Sequence, residues 1–535
     1  MAQRPTDNIG KYLHNFPGGL KLRHHKALSC CKPLPARYLP LSTEYCIPVS
    51  QHLGQPAEVV VSVGQQVKKG QALSTPGKTG NAPGAFVHAP TSGEITAIEK
   101  RPVPHPSGLN SLCIVLQPDG KDRWVELEPV DDYRKLDCDE LIQRVQAAGI
   151  VGLGGAVFPT DIKLQGTSCL INTLILNGVE CEPYISCDET LMKQAPGKII
   201  EGALILCHVF KIEKVIIAIE DPMDVCNLEL EQSISEFNAG DCVEVIRVPM
   251  LYPEGGERQL IQVLSGHEVP AGQLPISLGI LVQNVATVAA IRDAVIDGIP
   301  LIERLVTVTG AGIREPQNVH ARIGTPIADL VDFCGGYTAG IARLVMGGPL
   351  MGLGLRNDQL PIIKASNCVL ALTHADITST QPEMPCINCG NCVSVCPAGL
   401  LPQTLQTVIR AENFEALESL NLDACIECGC CDYVCPSHIP LVDYFRYGKG
   451  EQRAQAKEKQ ESDIARLRFE RREQRLEKQQ AERLARHQRR KRALAGSSSK
   501  KDSVAAAIAR AKARKQVLAA NQPDTNSETG KGENS

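Results

Sequence analysis

Cys386-Ile-Asn-Cys389-Gly-Asn-Cys392-Val-Ser-Val-Cys396-Pro397 is followed downstream by Cys425-Ile-Glu-Cys428-Gly-Cys-Cys431-Asp-Tyr-Val-Cys435-Pro436. Both runs read C-x2-C-x2-C-x3-C-P. In that spacing three thiolates of one run wrap a [4Fe–4S] cube, and the fourth reaches the cube of the other run. The pattern predicts Cys386, Cys389, Cys392 and Cys435 on one cluster, and Cys425, Cys428, Cys431 and Cys396 on the other. Structural zinc usually takes two C-x2-C pairs, four ligands in all. Each run here brings three cysteines at three-residue steps plus a fourth before proline, which over-supplies a tetrahedral ion. Cys430 falls outside the ligand spacing and is read as unligated. A chain with two such clusters moves single electrons.

Outward from the cysteines, the interval between the runs repeats Leu405, Val408, Ile409, Phe414, Leu417 and Leu420 at steps of three and four. That period predicts helices, and an all-helical double-cluster module over 376–445. From about 449 to 535 the chain is low-complexity and charged. Between Glu451 and Ala520 it carries 21 Lys and Arg against 9 Asp and Glu, while the rest carries 35 against 51. An acidic body therefore bears a basic tail. Pairs such as Glu482–Arg486 support a solvated helix, and the end from Asn521 reads as disordered. The dense run Arg486–Arg492 suits anionic lipid or an acidic partner surface, or is a plain solvated tail.

At 535 residues the chain has room for three or four domains. Its 45 glycines and 35 prolines predict many turns, and 43% hydrophobic content allows large cores. Aromatic residues make up only 4%, and none interleave the basic run, which argues against nucleic acid as a partner. No stretch approaches the roughly 18 uninterrupted apolar residues of a membrane-spanning helix; Leu344–Leu355 is too short and too rich in glycine. The polar start, Met1 to Gly10, lacks a secretory signal. Cysteine-rich without such a signal points to a reducing compartment, where thiols hold metal rather than pair.

Upstream, 30–130 looks all-β. Val59–Val63 is followed by Val63-Gly-Gln-Gln-Val-Lys-Lys-Gly-Gln-Ala-Leu73 and by Val87-His-Ala-Pro-Thr-Ser-Gly-Glu-Ile95. Short strands between glycine turns predict a small sandwich. These motifs resemble lipoyl and biotinyl carrier domains, which present a modified lysine between them. Here Lys78 lies in that stretch, but its flanks differ, and an unmodified structural version is expected. From 135 to 300 the pattern alternates: a helix near Asp139–Ala148, a strand at Leu170–Leu176, a helix at Lys198–Phe210, and strands at Val215–Ile219 and Val243–Val248. This predicts a parallel sheet flanked by helices. From 301 to 365, Val306–Gly310, Val319–Thr325 and a helix Pro326–Cys334 stopped by Gly335-Gly336 resemble a soluble-ligand-binding β-grasp (SLBB) unit.

The second chemical motif is Gly152-Leu-Gly-Gly-Ala-Val-Phe-Pro-Thr-Asp-Ile-Lys163. It lacks the third glycine of G-x-G-x-x-G, with Val157 in that place, so a Rossmann reading fails. What remains is a loop whose backbone can approach a ligand closely, with Lys163 as charge for a phosphate and Phe158 as a flat face. Asn177-Gly-Val-Glu-Cys-Glu-Pro183, Tyr252-Pro-Glu-Gly-Gly-Glu-Arg258 and Val282-Gln-Asn-Val-Ala-Thr287 join it. Loops after parallel strands are where open α/β sheets bind ligands. Together the four segments are similar to the flavin- and NADH-binding 51-kDa-type subunit of respiratory complex I. The resemblance implies Gly152, Gly154, Gly155, Lys163, Asn177, Glu180, Tyr252, Gly256, Glu257, Asn284 and Thr287 around FMN. It implies Phe158, Glu182 and Glu257 facing NAD(H). Leu153, Val179 and Gln283 depart from the family's arginine, aspartate and asparagine.

The order of parts makes a multidomain α/β chain: lipoyl-like β-sandwich, complex I 51-kDa-like flavin domain, β-grasp unit, double [4Fe–4S] ferredoxin module, charged tail. Over nearly the whole chain it resembles the family of C subunits of the Rnf/Rsx ion-translocating oxidoreductases. The resemblance implies a peripheral subunit on the cytoplasmic face of the bacterial inner membrane. Its partners would be the A, B, D, E and G membrane subunits, its cofactors FMN, NAD(H) and two [4Fe–4S] clusters, and its work coupled to ion translocation or SoxR reduction. No side-chain acid or base is expected to do covalent chemistry. The rival readings are a soluble diaphorase or cobalamin reductase, and a non-catalytic cluster-bearing scaffold.

Overall fold

The computed structural model describes residues 9–30, 35–77, 84–165, 171–270, 272–377, 381–495 and 498–519. Lys78 and the end from Asn521 lie outside the described residues. The chain divides into two compact units, 1–449 and 450–535. Each is described by itself.

In the first unit, the sandwich forms two antiparallel sheets. One orders Tyr45–Pro48, Asn110–Pro118, Gly93–Pro102 and Gln66–Val67; the other orders Glu58–Val59, Ala72–Thr75 and Val87–His88. Its core is Tyr45, Ile47, Leu73, Ile95, Ile114 and Leu116, all fully buried. Gly64 and Gly70 of the carrier-like turn both have positive φ, +83° and +81°, which side chains rarely adopt.

The α/β domain has four parallel strands in the order Val243–Val248, Lys214–Glu220, Thr173–Gly178, Ile280–Asn284. All four strands are rich in apolar residues, as parallel strands covered on both faces should be. The first strand lies a few residues beyond the expected Leu170–Leu176. The helix Cys138–Ala147 starts with a reciprocal capping box between Asp137 and Glu140. In sequence order the strands run 3-2-1-4. The sheet therefore reverses direction between Thr173–Gly178 and Ile280–Asn284, a topological switch point of the kind that binds ligands.

The β-grasp sheet exceeds the expected 301–365. Its six strands include Cys368–Thr373, parallel to Glu303–Thr309, and an N-terminal edge strand Arg37–Tyr38. The helix Ile327–Phe333 ends at Gly335 and Gly336, both with positive φ. The cysteine module is helical between its runs, with Pro402–Arg410 burying Leu405 and Ile409. Residues 9–30 form a strap along the α/β domain. Gly10 N and His14 N donate to Leu264 O and Val263 O, and Leu20 pairs with Tyr252.

In the second unit the described side chains of the rest of helix Leu441–Ala495 and of the helix Ser498–Ala519 are mostly exposed. Ion pairs such as Arg466–Asp463, 3.1 Å, line the first. No helix among the described residues is long and apolar enough to cross a membrane.

Candidate functional site

Two hollows occupy the cysteine module. Cys386, Cys389, Cys392 and Cys435 line the first; Cys396, Cys425, Cys428 and Cys431 line the second, where Cys430 also reaches the wall. Three cysteines of each run thus meet the fourth of the other. The runs fold alike because they are alike: Asn388 and Glu427 both sit at φ +56°, and Gly390 and Gly429 follow at +79° and +77°. The turns aim amides at sulfur. Asn388 N lies 3.4 Å from Cys386 Sγ, Glu427 N 3.4 Å from Cys425 Sγ, and Leu400 N 3.3 Å from Cys396 Sγ.

The spacing decides between zinc and a cube. A tetrahedral zinc with bonds of about 2.3 Å holds its sulfurs about 4 Å apart. Among the described residues, the only Cys/His/Asp/Glu trio with ligand atoms within 4.8 Å of one another is Glu180, Cys187 and Asp188. The two cysteine quartets are wider than that and fit a larger body such as a [4Fe–4S] cube. The quartets also differ in setting. Cys386 and Cys389 are exposed, with Ile387 67% exposed beside them, whereas Cys428 and Cys431 are buried.

At the switch point, Asn177 and Asn284 end adjacent strands and are direct cross-strand partners. Asn284 caps the next helix, its Oδ1 accepting from Ala286 N and Thr287 N, while its Nδ2 donates to Asp188 Oδ2 at 2.6 Å. Asn177 Nδ2 donates to Gly255 O at 2.8 Å and ties in the Tyr252–Arg258 loop. The glycine loop lies over this edge. Leu153 N donates to Thr287 Oγ1 at 2.9 Å, and a side chain on Gly154 would meet Asn284 Cβ at 3.3 Å. Gly155, at φ +108°, has nothing within 4 Å of where a Cβ would stand. The loop backbone is therefore open on that side to a ligand. Nε2 of Gln283, which is 4% exposed, has no partner among the described residues. It can donate to a bound molecule. These features fit a flavin mononucleotide.

The remaining expected residues converge with different roles. Lys163 Nζ meets Glu257 Oε1 at 2.8 Å, both part-exposed. Phe158 is 36% exposed at the loop's end. Gly152 N donates to Phe158 O and closes the loop. Glu180 is buried and turned to a helix end: its carboxylate accepts from Asp188 N, Glu189 N and Cys187 Sγ. Burial, with Asp188 beside it, pushes this carboxyl up to about 8. Glu182 Oε1 accepts from Leu350 N and Met351 N, and burial raises its pKa. A side chain on Gly348 would stand 1.9 Å from Glu182 Cγ. Gly256 precedes the helix Glu257–Ser265, and Tyr252, 1% exposed, donates its hydroxyl to Cys428 O at 2.6 Å.

Three contributors were missed in the sequence. Arg304 is buried and donates to Leu153 O at 3.2 Å, and Asp188 orients Asn284. The loop Gly347–Gly352 of the β-grasp unit clamps Glu182. Only that loop left a visible signal, its run of glycines.

The carrier-like region matches the RnfC barrel sandwich hybrid domain over residues 14–121, and the α/β domain matches the Nuo51 FMN-binding domain over 145–293. An SLBB domain matches 305–354, and a 4Fe-4S dicluster domain 385–439. The C subunit of the ion-translocating oxidoreductase complex of Serratia proteamaculans is 46% identical over 506 residues, covering 94% of this chain and 70% of that protein. The chain belongs to the family of C subunits of ion-translocating oxidoreductase complexes. The C subunit of Pseudomonas aeruginosa is 45% identical, covering 88% of this chain and 60% of its own length. Among solved structures, an NAD+-reducing [NiFe]-hydrogenase in the air-oxidized state is similar at 19% identity and a TM-score of 0.41, over 53% of this chain and 54% of that one. Within the family frame, the multidomain arrangement and the pairing of FMN with [4Fe–4S] clusters stand as expected.

Proposed function

We propose that this chain is the nucleotide-side electron-transfer subunit of an ion-translocating oxidoreductase complex. The observation that carries this reading is the pair of cysteine quartets, one with Cys428 buried in a core shared with the flavin-type domain and one with Cys386 and Cys389 exposed. The names of the relatives support it. Bound here, FMN supplies hydride exchange with NAD(H) and single-electron release, and the clusters supply a one-electron relay.

The chain's own residues hold and tune these groups. Gly152, Gly154 and Gly155 offer backbone to the flavin phosphate and ring. Lys163 brings positive charge to the phosphate, and on ligand binding it exchanges an exposed ion pair worth little for a charge-assisted contact. Asn177, Asn284 and Thr287 hold the floor. Glu180 fixes the helix beside Asn284, while Phe158, Glu182 and Glu257 border the nicotinamide side. Tyr252 and Gly256 shape the loop between flavin and buried quartet. Cys396, Cys425, Cys428 and Cys431 would hold the cluster beside the flavin-type domain, and Cys386, Cys389, Cys392 and Cys435 would hold the one at the exposed rim, where a partner would dock. Peripheral attachment at the cytoplasmic face of an inner membrane through the A, B, D, E and G subunits completes the reading, with the basic tail free to meet anionic lipid.

Anaerobic purification of the chain tests it. The expected product carries one flavin and two cubes, and NADH bleaches both chromophores. Protein with zinc alone, or flavin-free protein whose clusters ignore NADH, rejects it.

A further inference from the structure

One short segment of the α/β domain reaches both loops of the buried quartet. Tyr252 donates its hydroxyl to Cys428 O at 2.6 Å, and Gln259 Nε2 approaches Pro397 O, next to Cys396, at 3.4 Å. Both side chains are buried, at 1% and 4% exposure. The same segment holds Gly256 and Glu257 of the flavin loops. Gln259 sits beside the flavin loop: its Oε1 is 2.5 Å from where a Cβ on Gly256 would stand. The strap closes the arrangement. Leu20 exchanges two backbone hydrogen bonds with Tyr252, and Gly19 N donates to Val395 O at 3.0 Å. Gly18, at φ +70°, would place a Cβ 2.4 Å from the Val395 carbonyl carbon. Nothing comparable holds the exposed quartet to the α/β domain in the contacts of the described residues.

We propose that Tyr252 and Gln259 are positioning residues for electron transfer, fixing the buried quartet's two cysteine loops to the flavin loop that shares their segment. The proposal rests on the functional reading above and adds to it the element that sets the distance between its two halves. Two physical consequences follow. The separation between flavin and buried cluster would be set by Tyr252 in the loop and Gln259 in the helix Glu257–Ser265 that follows it. Peptides beside cysteine ligands also tune cluster potential through their dipoles. Freeing the Cys428 peptide therefore alters one cluster and spares the other.

The test compares Tyr252→Phe and Gln259→Ala with the unaltered chain, each purified anaerobically with flavin and iron counted. Tyr252→Phe keeps the ring and removes only the hydroxyl. Dithionite-reduced protein gives the EPR spectrum of each cluster without involving the flavin. The expected result is unchanged iron in both variants and, in Gln259→Ala, unchanged flavin content. One cluster's line shape and midpoint potential shift, and its reduction by NADH slows several-fold. Wild-type EPR spectra in both variants overturn the proposal. So does loss of flavin from Tyr252→Phe with both cluster signals unaltered, which would make Tyr252 a flavin contact. A wild-type chain whose clusters ignore NADH sinks the functional reading alone, since the dithionite spectra still judge the positioning role.

Discussion

Single residues in this chain do work that depends on which side of a boundary they stand. Cys389 is exposed and lines only the first cavity. Cys389→Ala removes one of four thiolates from that quartet and touches nothing of the second. The expected outcome is loss of about half the iron and one EPR signal, with flavin content intact, read by iron assay and spectroscopy. The grouping of the cysteines into two crossed quartets was legible because the two runs share one spacing. Of the two asparagines at the switch point, Asn177 follows an apolar run readable as a strand, whereas the strand Ile280–Asn284 was not read from the sequence. The side-chain contacts were not legible. Glu180 serves a helix terminus and Tyr252 a cysteine loop, because each points across a fold that only long-range packing creates.

At the scale of elements, the helices Pro196–Phe210 and Val285–Arg292 pack so closely that Gly202 has no room for a methyl. A Cβ there would stand 2.4 Å from Val288 O. Glycine in a helix interior costs about 1 kcal/mol relative to alanine. Overpacking against a backbone carbonyl costs about 1–3 kcal/mol, and the second term wins. Gly202→Ala should lower the thermal midpoint and deplete flavin, because the displaced helix carries Thr287 and is capped by Asn284. Calorimetry and flavin absorbance check this. Element types were readable from period and glycine stops, as Val243–Val248 and the helix after Pro326 show. The edge strand Arg37–Tyr38 was not: two residues carry no period, and their pairing with Val319 and His320 is purely tertiary.

Across the whole first unit, Lys364 ties three domains together. It is fully buried in the β-grasp region, donating Nζ to Phe86 O of the sandwich at 2.7 Å and to Gly149 O of the α/β domain at 2.6 Å. Its amide donates to Gln51. Burial pulls its pKa down to about 7, and His88 nearby is driven to about 3 and stays neutral. The folded pKa lies below the unfolded value of 10.5, so between the two the unfolded chain binds the extra proton. Stability from this group is thus complete above the upper value and is lost as pH falls toward 7, by up to about 1.4 kcal/mol per unit. Thermal midpoints from pH 7 to 9 should rise more steeply in the unaltered protein than in Lys364→Met. Equal slopes would remove Lys364 as the cause.

The exposed rim at Cys386 and Cys389 carries a cost of its own. A thiolate cage open to water is equally open to dioxygen and to chelators, which do not distinguish a partner's docking face from bare solvent. Isolated from its complex, the molecule is vulnerable to corrosion from that end inward, and the metal sheltered against Tyr252 outlasts the metal at the rim.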